Sequence, residues 1–166
     1  MEPRILTLWQ PYASLVALLI KIFETRPKYT SYRGPLYVHS AAQTTHKTSD
    51  AEYDLFLEAL ALAGLGEDDI GPFDPRKAYG QILVKTQLKE CLYMVNVPGT
   101  PPPKEGRDTV VIPSTKLERL VGNWSEGRYA YRLEDRQPLK TPIPWSGGQG
   151  FIKAPQKIID LVEENL

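Results

Sequence analysis

Strand patterns and isolated helix patterns succeed one another along this chain with no βαβ rhythm and no internal repeat. That order argues for an α+β fold, or for a barrel carrying helical insertions. Ile5 to Leu8 reads as an opening strand, and Trp9-Gln10-Pro11 turns the chain, with Pro11 suited to a first helical position. Ala13, Val16, Ala17 and Ile20 recur at helical spacing, which predicts a helix with one apolar face ending near Lys21. Phe23 to Arg26 is a short extended piece closed by Pro27, since the residue before a proline avoids the helical region. Pro35 to Ser40 is a further strand. Ser49-Asp50-Ala51-Glu52 is a capping-box pattern opening a second helix, with Gly64 as its stop and Leu55, Leu57, Leu60 and Leu62 as apolar surface. Tyr79 to Leu92 is the longest strand candidate, and Arg128 to Leu133 and Ile143 to Ile152 are two more. A short helix is expected over Ser114 to Val121 and another after Pro155. The four Pro and two Gly between Val97 and Thr109 mark a surface loop.

A chain of 166 residues fits one domain, taken as 1–166, with a hydrophobic core that needs no staples. Cys91 is alone and cannot form an internal disulfide, and with two His it cannot build a conventional zinc site. No metal or other cofactor is expected. Glu67, Asp68 and Asp69 lack the alternation of a calcium loop and read as a solvated turn. The strongest apolar stretch, Leu15 to Ile20, is far too short to cross a bilayer, and no basic region precedes it. A reducing cytoplasm is the expected compartment, with no membrane partner.

Net charge is zero, which argues against coating nucleic acid by global attraction. The charges are uneven, however. Residues 1–48 hold six Lys/Arg against Glu2 and Glu24, whereas residues 50–74 hold eight Asp/Glu and no Lys/Arg. Either a polyanion approaches from the basic side, or the acidic stretch is simply a solvated helix and its loop.

Three phrases in the first forty residues belong together: Leu6-Thr7-Leu8-Trp9-Gln10-Pro11-Tyr12-Ala13-Ser14-Leu15, Lys21-Ile22-Phe23-Glu24-Thr25-Arg26, and Tyr32-Arg33-Gly34-Pro35-Leu36. They closely resemble the ASCH family (activating signal cointegrator homology), whose hallmark is G-x-K-x-x-E-x-R at the end of the first helix. Lys21, Glu24 and Arg26 match that pattern, while Leu19 stands where the family has Gly. Tyr79-Gly80-Gln81-Ile82-Leu83, Gly127-Arg128-Tyr129-Ala130-Tyr131, Pro142-Ile143-Pro144 and Gly147-Gly148-Gln149-Gly150 also resemble family segments. The resemblance implies an α+β, PUA-like β-barrel with flanking helices that works on RNA or another nucleic acid.

The spacing has its own physical content. On an extended segment Glu24 and Arg26 share one side and Phe23 and Thr25 the other, with Lys21 able to lean over the first. Arg26 offers a bidentate grip on a phosphate or base edge, Lys21 a compact charge, and Glu24 an acceptor for an exocyclic amine. The same triplet also reads as an ion-pair cluster pinning helix to barrel; the resemblance favours the ligand. Tyr12, Lys28, Tyr29, Tyr32 and Arg33 interleave aromatic rings with cations, which suits single-stranded nucleic acid. Trp9 either stacks a base or, beside a helix start, belongs to the core, and the core reading is favoured. His39 is read as a satisfied core histidine and His46 as solvent-facing. Trp145 and Gln149 are secondary cleft candidates in a Gly-rich segment that either approaches an anion through its backbone or makes a tight turn.

The expectation is a reader of single-stranded or modified bases, with RNA as partner and single-stranded DNA or a modified nucleoside as other ligands. The alternative is a hydrolase acting on RNA or a modified nucleoside, a ribonuclease or an enzyme like the N4-acylcytidine amidohydrolases, in which Lys21 and Glu24 would be catalytic. In the amidohydrolase branch of the family a Thr nucleophile lies three residues after the Lys; here that position is Glu24. A protein-interaction module using the helix around Leu55 to Leu62 is a third reading.

Overall fold

The computed structural model describes residues 1–166. Its strands are β1 (Arg4–Leu8), β2 (Phe23–Arg26), β3 (Gly34–Ser40), β4 (Gln81–Val95), β5 (Thr109–Val111), β6 (Tyr129–Pro144) and β7 (Ile152–Lys153). The helices are α1 (Tyr12–Ala17), α2 (Asp50–Leu62), α3 (Lys116–Leu120) and α4 (Gln156–Glu164), with a 3-10 turn at Glu67–Asp69. The strands form one mixed sheet in the order β2-β6-β4-β3-β1-β7, with β5 added alongside β4. β1 runs parallel to β3, and the β4–β6 pair is antiparallel.

The long β4–β6 pair curls the sheet into a half-barrel. Its register slips between Ile82 and Val84, Lys85 and Gln87, and Leu88 and Glu90, and each such irregularity bends and twists a ladder. At the middle slip, Asp135 adopts a left-handed φ of 50° and Thr86 Oγ1 donates to Glu134 O at 2.6 Å. Asp is one of the few side chains that accept this backbone readily. β1 is buried on both faces. Leu6 and Leu8 join the main core with Val16, Leu36, Val38 and Leu83, while Ile5 joins Tyr37, Ile82 and Ile143 beneath Ile158 and Val162 of α4.

The helices differ from expectation in detail. α1 stops at Ala17, short of Lys21, because a Schellman closure ends it. Ile20 N–H donates to Leu15 O and Leu19 N–H to Val16 O, both at 3.0 Å, and Leu19 holds a left-handed φ of 66°. Its other end is fixed by Gln10, fully buried, whose Oε1 accepts from Ser14 N–H while its Nε2 donates to Ser14 Oγ and to Ala78 O. The capping box of α2 forms as read. Its core contacts come from Phe56, Ala59 and Leu60, whereas Leu62 is exposed.

β6 is longer than its predicted core of Arg128 to Leu133, running on to Pro144. Ile143 to Ile152 is therefore not one strand; Ile143 and Pro144 are the last residues of β6, and Ile152 opens the two-residue β7 beside Arg4 and Ile5. No helix is long and apolar enough to cross a membrane.

Candidate nucleic-acid interface

The Schellman closure turns the chain sharply, so that Lys21 enters just ahead of β2 with its side chain directed inward. Lys21 is 1% exposed. Its Nζ donates to Val121 O, lies 3.7 Å from Glu24 Oε1 and sits 5.5 Å from the centre of the Tyr12 ring. Burial pushes the Lys21 ammonium below the usual lysine range, and the charge of Glu24 opposes that shift. Glu24 Oε2 accepts from Arg26 Nε at 2.9 Å, and Arg26 Nη2 donates to Thr7 O at 3.0 Å. A polar chain thus runs from Val121 through Lys21, Glu24 and Arg26 to Thr7. β2 and β1 are not hydrogen-bonded neighbours in the sheet, so the Arg26 bond to Thr7 spans its open seam.

A cavity of about 700 Å³ lies at this seam, lined by Lys21, Glu24, Arg26, Tyr12, Trp9 and Arg128 among others. That size falls within the range of small-molecule sites. Glu24 and Arg26 meet as alternation predicts. Phe23 packs edge-on against Trp124, and Thr25 Oγ1 accepts from Asn123 N–H at 2.9 Å. Thr25 also contributes to the cavity wall.

Trp9 reverses its expected placement in the core. It is 55% exposed and lies flat on His46, with ring centroids 4.3 Å apart and planes 6° from parallel. His46, expected to face solvent, is half-buried in this stack, and its Nε2 lies 2.9 Å from a Glu52 carboxylate oxygen. The partner ring arrives from the loop before α2, so no local pattern around Trp9 announces it. Arg128 belongs to a segment that resembles the family, but its place in the cleft does not follow from that segment; it sits beside Gly127 just ahead of β6, and the pairing of β6 with β2 brings it there.

The other aromatic and basic candidates lie outside this cavity. Tyr29 stacks under the Arg107 guanidinium, 4.0 Å from its ring centre. Tyr32 donates through its hydroxyl to Pro35 O at 2.5 Å, and Arg33 donates to Thr30 O and Tyr32 O at 2.8 Å each. The Lys28 side chain is exposed, and its carbonyl accepts from the Tyr131 hydroxyl. Trp145 lines a second cavity of about 1030 Å³ beside α4, together with His39, Gly147, Ile158 and Leu161. His39 is buried and doubly bonded: Nε2 to Trp145 O at 2.7 Å and Nδ1 to Thr7 Oγ1 at 2.9 Å. A carbonyl only accepts, so Nε2 carries the proton and Nδ1 accepts from the Thr7 hydroxyl. A Cβ on Gly147 would meet the His39 ring at 2.6 Å, so the close backbone approach of this Gly-rich segment is made to His39. Gln149 is exposed and borders neither cavity.

No protein-family model matches the chain, and no curated protein matches its sequence. Solved structures do match. The ASCH protein of Zymomonas mobilis superposes with a TM-score of 0.52 at 14% identity, over 96% of this chain and 95% of that one. A tyrosine-to-phenylalanine variant of the Zymomonas mobilis protein superposes with a TM-score of 0.51 at 14% identity, covering 97% and 99%. The curled sheet with its helices is therefore an ASCH-like, PUA-like α+β fold.

Proposed function

Starting from an ASCH-like fold, we propose that this chain binds nucleic acid, taking a single-stranded or modified base into the cleft lined by Lys21, Glu24 and Arg26. One observation carries this reading. A fully buried lysine and its carboxylate, both costly to desolvate, border open space of ligand size instead of being sealed into the core. An ion-pair cluster that served only to pin helix to barrel would have no use for that space, nor for an exposed indole at its edge. Trp9, backed by His46, offers a flat face for an unstacked base, and stacking of this kind is worth about 1–3 kcal/mol per base. Glu24 offers an acceptor to an exocyclic amine, and Arg26 a donor to a carbonyl or phosphate oxygen. RNA is the proposed partner, met in the cytoplasm.

A second reading, hydrolysis of RNA or a modified nucleoside, draws support from Lys21. An ammonium whose pKa burial lowers is closer to the range of a general base. It lacks a partner hydroxyl, because Glu24 occupies the position three residues on and the Thr25 hydroxyl is bonded to Asn123 N–H.

Fluorescence anisotropy with labelled single-stranded RNA and DNA at two salt concentrations tests the proposal, with a Trp9→Ala/Arg26→Gln variant alongside. Salt-sensitive binding that the variant loses, with the oligonucleotide intact on a gel, is the expected result. Cleaved oligonucleotide would move the assignment to the hydrolase, and no binding to RNA or DNA would overturn the polymer-binding reading.

A further inference from the structure

The cleft is not electrically balanced. Lys21, Arg26 and Arg128 supply three positive charges to its lining, and Glu24 supplies one negative charge, a surplus of two. Lys21 and Arg26 both pair with Glu24, whereas no ion pair in the structure involves Arg128. Arg128 is nevertheless held in place. Its Nε donates to Asn123 O and its Nη2 to Thr25 O, both at 3.1 Å. Neutral carbonyls position the guanidinium without cancelling its charge, and Nη1 has no partner in the chain. β2 and β6 pair Arg26 with Tyr129, so Arg128 stands one residue from the strand position facing Arg26. A cation fixed in orientation, half-buried and lacking a counter-charge is the usual preparation for an oxyanion, and a guanidinium suits phosphate oxygens best.

From this geometry we propose that the cleft takes a phosphorylated ligand, a nucleotide unit rather than a free nucleoside, and that Arg128 holds its phosphate while Trp9 carries its base. The inference rests on the nucleic-acid reading of the same cleft and narrows it. The indole and the charge surplus lie in one cavity of about 700 Å³, which brings a flat apolar wall and an anion site together. Phosphate is the group in a strand that has no preference of sequence, so this contact positions the ligand and leaves discrimination to Glu24 and the base edge.

The test is calorimetric titration of the whole chain with the four ribonucleosides, their 5′- and 3′-monophosphates, and a short single-stranded RNA. The wild type is expected to bind at least one monophosphate roughly ten- to a hundredfold more tightly than its nucleoside, the effect of one charge-assisted phosphate contact. Arg128→Gln keeps a donor for one carbonyl and removes the charge; it is expected to abolish that preference while leaving nucleoside binding within about twofold. Arg128→Lys is expected to keep part of the preference. A purely structural tether would instead weaken nucleoside and nucleotide alike in Arg128→Gln, and thermal melts of each variant separate that from unfolding. Equal affinity for nucleoside and nucleotide, or a preference that survives Arg128→Gln, overturns the inference and leaves the nucleic-acid reading standing. Binding of the RNA alone, with no mononucleotide bound, also overturns it. Failure of every ligand, RNA included, overturns both.

Discussion

Trp9 rests on His46 in a parallel stack, and His46 is in turn hydrogen-bonded to Glu52 in the first turn of α2. One face of the indole is thus occupied by the protein, leaving the other for a ligand. Trp9→Ala is expected to weaken single-stranded RNA binding by about 1–3 kcal/mol. Because Trp9 is largely exposed, the melting temperature should change little. Anisotropy and thermal denaturation on the same samples check both halves, and a large loss of stability would return Trp9 to a structural role.

Lys21 and Glu24 form a buried pair in which each charge compensates the other. Glu24→Gln leaves the lysine buried without its carboxylate and is expected to cost about 3–5 kcal/mol. Lys21→Met, which removes the buried charge itself, should cost less on top of Glu24→Gln than it does alone. Urea denaturation of the four members of this double-mutant cycle gives the coupling, and strict additivity would mean that the two side chains do not sense each other.

The Leu19 backbone predicts an unusual substitution. Its left-handed φ of 66° is disfavoured for any residue with a Cβ, and the side chain is 50% exposed, so little burial offsets the strain. Leu19→Gly, the residue that the ASCH pattern has here, is expected to stabilise by roughly 1 kcal/mol. Leu19→Val should destabilise, since β-branching worsens the same conformation. The urea midpoints of the two variants should move in opposite directions.

Tyr37 is fully buried in the layer beneath α4, and its hydroxyl has no hydrogen-bond partner. Burial, with help from the charges of Glu163 and Tyr32, pushes its pKa up to about 12 from the ordinary 10.0. The folded state favours the neutral phenol, so its contribution to stability is complete below pH 10 and is lost as pH rises from 10 towards 12. The unpartnered hydroxyl also carries a desolvation cost at every pH, so Tyr37→Phe should be more stable by roughly 1 kcal/mol at neutral pH, and, having no phenol to ionise, it should lose less stability than the wild type across that alkaline window. Urea titrations at pH 7, 10 and 11 would show it; a Phe variant that is less stable at pH 7 would reveal a hidden partner for the hydroxyl.

Some of this architecture was legible because the controlling residues are local. Ser49 and Glu52 close their capping box within one turn, and Pro27 stops β2 where its backbone preference says it must. The reach of β6 was hidden for a reason that is not local. Pro138 and Pro142 argue against a strand, but β2 pairs only with Tyr129 to Arg132, so the later half of β6 has a strand partner on one side only and tolerates them. The site divides in the same way. Lys21, Glu24 and Arg26 share one short segment and could be read together, and Tyr12 follows from the helix before them. Trp9 faces a ring 37 positions away, and Arg128 reaches the cleft through strand pairing across about a hundred residues. Single-sequence patterns do not carry such meetings.

The bond from Arg26 to Thr7 O also bears on how this architecture can vary. A backbone ladder would fix the spacing of β1 and β2 to the narrow distance that strands allow. Here a side chain bridges from the edge strand β2 to the end of β1 that the short β7 leaves uncovered, so the aperture between them is set by the length and rotamer of one residue. Widening or narrowing the mouth then requires no change of strand register, and relatives built on the same sheet could admit guests of different breadth by altering this clasp alone.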